Sequence, residues 1–131
     1  MKVLLDTNAY SAWKRNNEAV LEIIHRSEHL FLSAIVAGEL LFGFRIGSRS
    51  RKNYRELLAF LDSPYVTLLP ITFESADRFS LIASSLRRKG RPLPTNDIWI
   101  AAHAMESGAY LLSFDTHFEQ IDGLALLHPA C

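Results

Sequence analysis

Four carboxylates sit in apolar company: Asp6, Glu39, Asp97 and Asp115. Asp6 follows the run Val3-Leu4-Leu5, and Asp115 follows Tyr110-Leu111-Leu112-Ser113-Phe114. Glu39 is the only charged residue between Leu30 and Phe44, and Asp97 opens the stretch Ile98-Trp99-Ile100-Ala101-Ala102. Taking a carboxylate out of water is costly unless it is paired or coordinated. Several gathered at one place repel one another unless a cation joins them, so a divalent-metal site is the first reading. An all-oxygen donor set favours Mg²⁺ or Mn²⁺ over zinc. Such an ion activates water near neutral pH and offsets charge on a phosphate, which makes phosphodiester hydrolysis the natural reaction.

The basic residues are unevenly placed. Arg45, Arg49, Arg51, Lys52 and Arg55 form a group of five with no acid between them, and Arg87, Arg88, Lys89 and Arg91 add four. Local clusters of this kind suit a nucleic-acid backbone, although cationic helix ends also complement the helix dipole. Each acid has its own structural explanation too. Asp97 can stabilise a helix start, Asp6 and Asp115 can open turns, and a distant Arg can pair with Glu39. One shared cation explains all four together.

Other chemistries find less support. His25, His29, His103, His117 and His128 show no HExxH or paired-ligand spacing, and His117, two residues after Asp115, reads as a surface or supporting side chain. Six glycines make no phosphate-binding loop, and no Gly-x-Ser-x-Gly elbow is present. Asn8 stands where an Asp-nucleophile phosphatase would carry its second Asp. Trp13, Phe31, Phe42, Phe44 and Trp99 lie among apolar residues and are expected in the core or at a partner surface.

The elements that must position the acids alternate between β and α. Lys2–Leu5 reads as a strand, with Asn8 capping a helix Ala9–Arg15. Glu18–Arg26 is a second helix, apolar at Val20, Leu21, Ile23 and Ile24. Leu30–Ser33 is a strand, and Ser33 caps a helix to about Arg45. Gly47–Ser50 is a loop, and Asn53–Leu61 puts Tyr54, Leu57, Leu58 and Leu61 on one helical face. Val66–Leu69 is a strand, and Thr72 caps a helix to Arg88 that Gly90 ends. The stiff Gly90-Arg91-Pro92-Leu93-Pro94 segment delivers Thr95, Asn96 and Asp97 to a helix stopping at Gly108. Tyr110–Phe114 and Leu124–His128 are strands, with a helical turn at Thr116–Gln120 between them. This alternation predicts a three-layer α/β/α domain around a small, mostly parallel sheet. Such sheets carry their sites at the carboxyl ends of strands, where Asp6 and Asp115 both fall.

The totals agree with this picture. A chain of 131 residues, 49% of them hydrophobic and formally neutral, fits a single domain spanning residues 1–131 with a real core. No apolar run approaches the about 18 residues of a membrane span. Met1-Lys2-Val3-Leu4-Leu5-Asp6 meets an acid too early for a secretory leader, and the lone Cys131 fits a reducing compartment, so a cytoplasmic location is expected.

Leu4-Leu5-Asp6-Thr7-Asn8 resembles the opening motif of PIN-domain nucleases, and Glu39-Leu40-Leu41-Phe42-Gly43 resembles their second. Asn96-Asp97-Ile98-Trp99-Ile100-Ala101-Ala102 is similar to the third. Leu112-Ser113-Phe114-Asp115-Thr116-His117-Phe118, with Ile121-Asp122-Gly123-Leu124, is similar to the fourth and the tail. The order and spacing span nearly the whole chain, and the length looks most like the VapC toxins of toxin–antitoxin pairs. That resemblance implies Mg²⁺- or Mn²⁺-dependent RNA cleavage, a VapB-like antitoxin partner and homodimers. It implies Asp6, Glu39, Asp97 and Asp115 as the metal site, with Thr7 and Asn8 supporting Asp6, and Asn96 supporting Asp97. In the family, helices such as Ala9–Arg26 and Asn53–Leu61 form the antitoxin groove. Phe114 departs from relatives that carry a polar residue before the acid, and Glu119 is the candidate for an extra acid that some members carry. Two rival readings stand beside this one: a PIN nuclease for RNA processing without toxicity, and a non-catalytic binding module.

Overall fold

The computed structural model describes residues 1–129, and Cys131 lies outside them. Five strands form one sheet: β1 (Lys2–Leu5), β2 (His29–Ser33), β3 (Val66–Leu69), β4 (Tyr110–Leu112) and β5 (Leu126–Leu127). Their spatial order is β3-β2-β1-β4-β5, and every pairing is parallel. β1 is central, with Leu5 level with Leu32 on one side and Leu112 on the other. Val3, Leu4 and Leu5 are fully buried, as expected of a parallel strand covered on both faces.

Six helices fill the outer layers: α1 (Thr7–Lys14), α2 (Glu18–Arg26), α3 (Ala34–Ile46), α4 (Ser50–Leu61), α5 (Phe73–Lys89) and α6 (Thr95–Ser107). The crossovers from β1 to β2 and from β2 to β3 step the same way across the sheet. The crossover from β3 to β4 steps back past both. Right-handed connections therefore put α1–α4 on one face and α5–α6 on the other. Tyr10 and Trp13 of α1 meet Phe60 of α4 edge to face, with centroids 5.6 and 5.0 Å apart. On the opposite face Phe79 of α5 stacks on Trp99 of α6 at 4.2 Å. The chain leaves β1 toward β2 but enters β4 on the other side, so the sheet's switch point lies between β1 and β4. Side chains just past Leu5 and Leu112 meet there.

Several boundaries differ from the sequence reading. Asp6, not Asn8, caps α1: its backbone is extended and its carboxylate accepts the Ala9 N–H at 2.8 Å. α4 begins at Ser50 rather than Asn53, because Arg and Lys propagate a helix without needing a buried face. β4 stops at Leu112, where the Ser113 hydroxyl accepts the Asp115 N–H at 3.0 Å and turns the chain. The last strand shrinks to Leu126–Leu127, the residues level with Leu111 and Leu112.

The α5 start is reinforced from α6. Thr72 and Ser75 form a reciprocal capping box, and the buried Ser75 hydroxyl also donates to the Glu106 carboxylate at 2.8 Å. Ser75→Ala removes half the box and this bridge, and is expected to cost about 1–2 kcal/mol. Urea denaturation checks it, and an unchanged midpoint would show that the bridge contributes nothing.

Candidate active site

Asp6 stands at the carboxyl end of β1, and its backbone N–H donates to the Leu112 carbonyl across the switch point. It is 7% exposed, and its carboxylate accepts from the cap N–H of Ala9. Burial pushes its carboxyl above the usual range. The Ser113 hydroxyl and the Ala9 N–H oppose that rise, while the charges of Asp97 and Asp115 add to it. Asp97, in the first turn of α6, is also raised by burial. His117 opposes the rise, and Asp115 and Glu39 increase it. The four acids thus share one electrostatic neighbourhood, although they come from four separate elements.

Glu39, midway along α3, takes the Thr7 hydroxyl on Oε1 at 2.5 Å and the Asn96 amide on Oε2 at 3.2 Å. Thr7 and Asn96 therefore serve Glu39, whereas the resemblance implied Asp6 for Thr7 and Asp97 for Asn96. Asn8 is exposed in the first turn of α1. Glu39, Asn96, Gly38, Ala34, Ile35 and Phe42 line an open depression of about 510 Å³. Phe42 is 66% exposed on its wall, so this ring is not in the core. Trp13, Phe31 and Phe44 pack partly buried against the core, as expected, and the half-buried Trp99 stacks on Phe79.

Among the described residues, no Lys or Arg forms an ion pair with any of the four acids. The structural alternative for Glu39, a distant Arg, is thereby removed. The residue that does approach is His117, on the 3₁₀ turn Thr116–Gln120. Its Nε2 lies 2.9 Å from Asp97 Oδ2, and its Nδ1 lies 3.0 Å from Asp115 Oδ1. One donor atom each from Asp97, Asp115 and His117 falls within a 4.8 Å span. A signal for it was present in the sequence. Asp115 caps the turn and accepts the His117 N–H at 3.1 Å, and a cap's carboxylate lies beside the residues two and three positions on. Glu119 instead reaches His128, 3.3 Å away.

The basic residues Arg45, Arg49, Arg51, Lys52, Arg55, Arg87, Arg88, Lys89 and Arg91 are all exposed. Lys89 is committed to Asp122 at 2.7 Å and to the Gln120 carbonyl at 3.0 Å. Lys52 faces Glu56 at 3.9 Å. Arg91 lies in the segment leading into Asn96 and Asp97.

This donor set fits a hard divalent cation. It has carboxylates from four elements, one of them buried, with no side-chain cation of the Lys or Arg type to neutralise them. A family model described as PIN domain matches residues 3–124. This chain belongs to the PIN-domain family. Its sequence is similar to that of ribonuclease VapC2 from Haemophilus influenzae, 29% identical over 127 residues and 95% of each chain. Ribonuclease VapC1 from Rickettsia felis is 28% identical over 130 residues, covering 97% of this chain and 96% of the relative. Among solved structures, DNA-bound VapBC from Salmonella typhimurium superposes with a TM-score of 0.85 at 25% identity, covering 98% of each chain. Within the PIN domain, the four motif acids lie at the sheet's switch point or beside it. No helix among the described residues is long and apolar enough to cross a membrane.

Proposed function

We propose that this PIN domain is a metal-dependent endoribonuclease, the toxin of a toxin–antitoxin pair, acting as one domain over residues 1–131. One observation carries the reading: four carboxylates converge at the carboxyl end of the sheet with no Lys or Arg among the described residues to balance them. The names of its relatives, ribonucleases of the VapC type, support RNA as the substrate. Asp6, Glu39, Asp97 and Asp115 would hold Mg²⁺ or Mn²⁺. When bound, such an ion supplies an activated water and charge to offset the scissile phosphate.

The protein's own part is positioning. Thr7 and Asn96 fix one Glu39 oxygen each, and the Ala9 N–H fixes Asp6. The depression beside Glu39 admits a nucleotide, and Phe42 offers an exposed ring on which a base can stack. The exposed arginines and lysines would hold the RNA backbone.

A cleft of about 300 Å³ between α1 and α4, lined in part by Lys14, Arg15, Arg49, Lys52 and Glu56, supports a VapB-like partner with an acidic segment. That partner would compete with RNA for Arg49 and Lys52. A homodimer and a cytoplasmic location complete the proposal, by analogy with the VapC family.

Purified protein should cut RNA with Mn²⁺ or Mg²⁺ and stop on addition of EDTA. RNA left intact by folded, metal-loaded protein would overturn the reading. Growth arrest on expression, relieved by the product of an adjacent small reading frame, would establish the toxin role. Cleavage without arrest would point to RNA processing.

A further inference from the structure

We infer that His117 is a nitrogen ligand to the cation held by Asp97 and Asp115, and that it biases the site toward Mn²⁺ over Mg²⁺. This rests on the metal site proposed above. The imidazole lies between two carboxylates, with Nε2 facing Asp97 at 2.9 Å and Nδ1 facing Asp115 at 3.0 Å. Nε2 is buried, and despite the short distance it makes no well-directed hydrogen bond. Buried nitrogens are normally satisfied, and one left over at a functional site calls for a partner. A ring with a single N–H also sets a lone pair against one of the two carboxylates. A cation beside Nε2 and Asp97 removes both problems.

The geometry suits such an ion. Neighbouring ligands of an octahedral ion with bonds of about 2.1 Å lie about 3 Å apart, close to the observed Nε2–Asp97 separation. The ring is held in place from two sides. Its backbone N–H is bound by Asp115, and the ring meets the buried Phe118 edge to face, with centroids 4.9 Å apart. Among the described residues, the other four histidines are engaged elsewhere or lie outside this group.

Ligand chemistry then sets the preference. Mg²⁺ takes oxygen donors and parts with its waters reluctantly, whereas first-row transition ions accept imidazole readily. An all-carboxylate site would discriminate weakly between the two; one imidazole tilts it toward manganese.

Titration calorimetry with MnCl₂ and with MgCl₂ tests this on wild type, His117→Ala and His117→Gln. Wild type is expected to bind Mn²⁺ more tightly. Both variants should lose at least the roughly tenfold in Mn²⁺ affinity that removal of a supporting group costs, with little change for Mg²⁺. Pulsed electron paramagnetic resonance on the Mn²⁺-loaded wild type should show nitrogen modulation from one imidazole, absent in His117→Ala. A Mn²⁺/Mg²⁺ ratio unchanged by both substitutions, with no imidazole modulation in wild type, would overturn the inference and leave the carboxylate site standing. In that case the ring serves only to position the two carboxylates. Wild type that binds neither ion would overturn the metal site itself, and this inference with it.

Discussion

Asp6→Asn is expected to remove RNA cleavage while leaving the fold as stable as before, or more stable. The loss should be at least on the order of 10²–10³-fold, the scale of deleting one electrostatic contributor to a transition state. Stability moves differently because the two roles of Asp6 separate. As a cap, it accepts the Ala9 N–H at 2.8 Å, and asparagine is an equally good cap. As a charge, it is buried and repelled by Asp97 and Asp115, so its carboxyl titrates above the usual 3.8. The folded chain therefore holds that proton more tightly than the unfolded chain. The resulting stability is present at low pH and is lost as pH rises from about 3.8 through the raised value. At neutral pH and without metal, the ionised carboxylate is a net cost that asparagine abolishes.

Melting curves in EDTA should thus place the variant at or above the wild type. Added Mn²⁺ should raise the wild-type midpoint and shift the variant little, because only a native state that binds the ion gains from it. Cleavage at the wild-type rate by Asp6→Asn would sink the site assignment. A variant that melts well below wild type would show that the carboxylate's charge serves the fold.

The sequence exposed the acids because each breaks an apolar pattern that physics otherwise enforces. Asp6 and Asp115 follow strands whose buried runs leave no place for a charge, and the parallel-sheet rule puts both at the carboxyl end of the sheet. Glu39 interrupts a helix in which nearly every neighbour is apolar. Asp97 is different, since an acid in a helix's first turn is ordinary, and only the fold reveals Glu39 and His117 around it. Which polar residue serves which acid was not legible. Thr7 follows Asp6 directly yet bonds Glu39, 32 residues away, because the α1 helix turns its hydroxyl across to α3. The start of α4 was missed for the opposite reason: Ser50, Arg51 and Lys52 are helical without an apolar face, so periodicity carries no signal there.

His103 marks another such gap, and its replacement should have the largest effect on stability. It is fully buried in α6, with Nε2 3.1 Å from the Pro70 carbonyl and Nδ1 2.8 Å from the Ser33 hydroxyl. A carbonyl can only accept, so Nε2 carries the hydrogen and Nδ1 must accept from Ser33. The Ser33 oxygen remains free to accept the Ile35 N–H at 3.0 Å and cap α3. One neutral imidazole thus ties α6, the carrier of Asp97, to the end of β2 and to the segment before α5. The partners are 70 and 33 residues away, so no local pattern could have announced them. His103→Ala leaves a cavity and two broken bonds, for an expected loss of about 2–5 kcal/mol in urea unfolding. His103→Leu restores most of the volume but not the bonds, and should fall between wild type and alanine. Burial also holds the ring's pKa below the usual 6.5, opposed by Glu106 and the Pro70 carbonyl. The unfolded chain therefore takes up a proton first as pH falls. Stability that is complete above pH 6.5 declines as pH drops from there through the lowered folded value. His103→Leu should flatten that part of the profile. Equal slopes in wild type and His103→Leu, with a cost below about 1 kcal/mol for alanine, would mean the histidine does not hold these elements together.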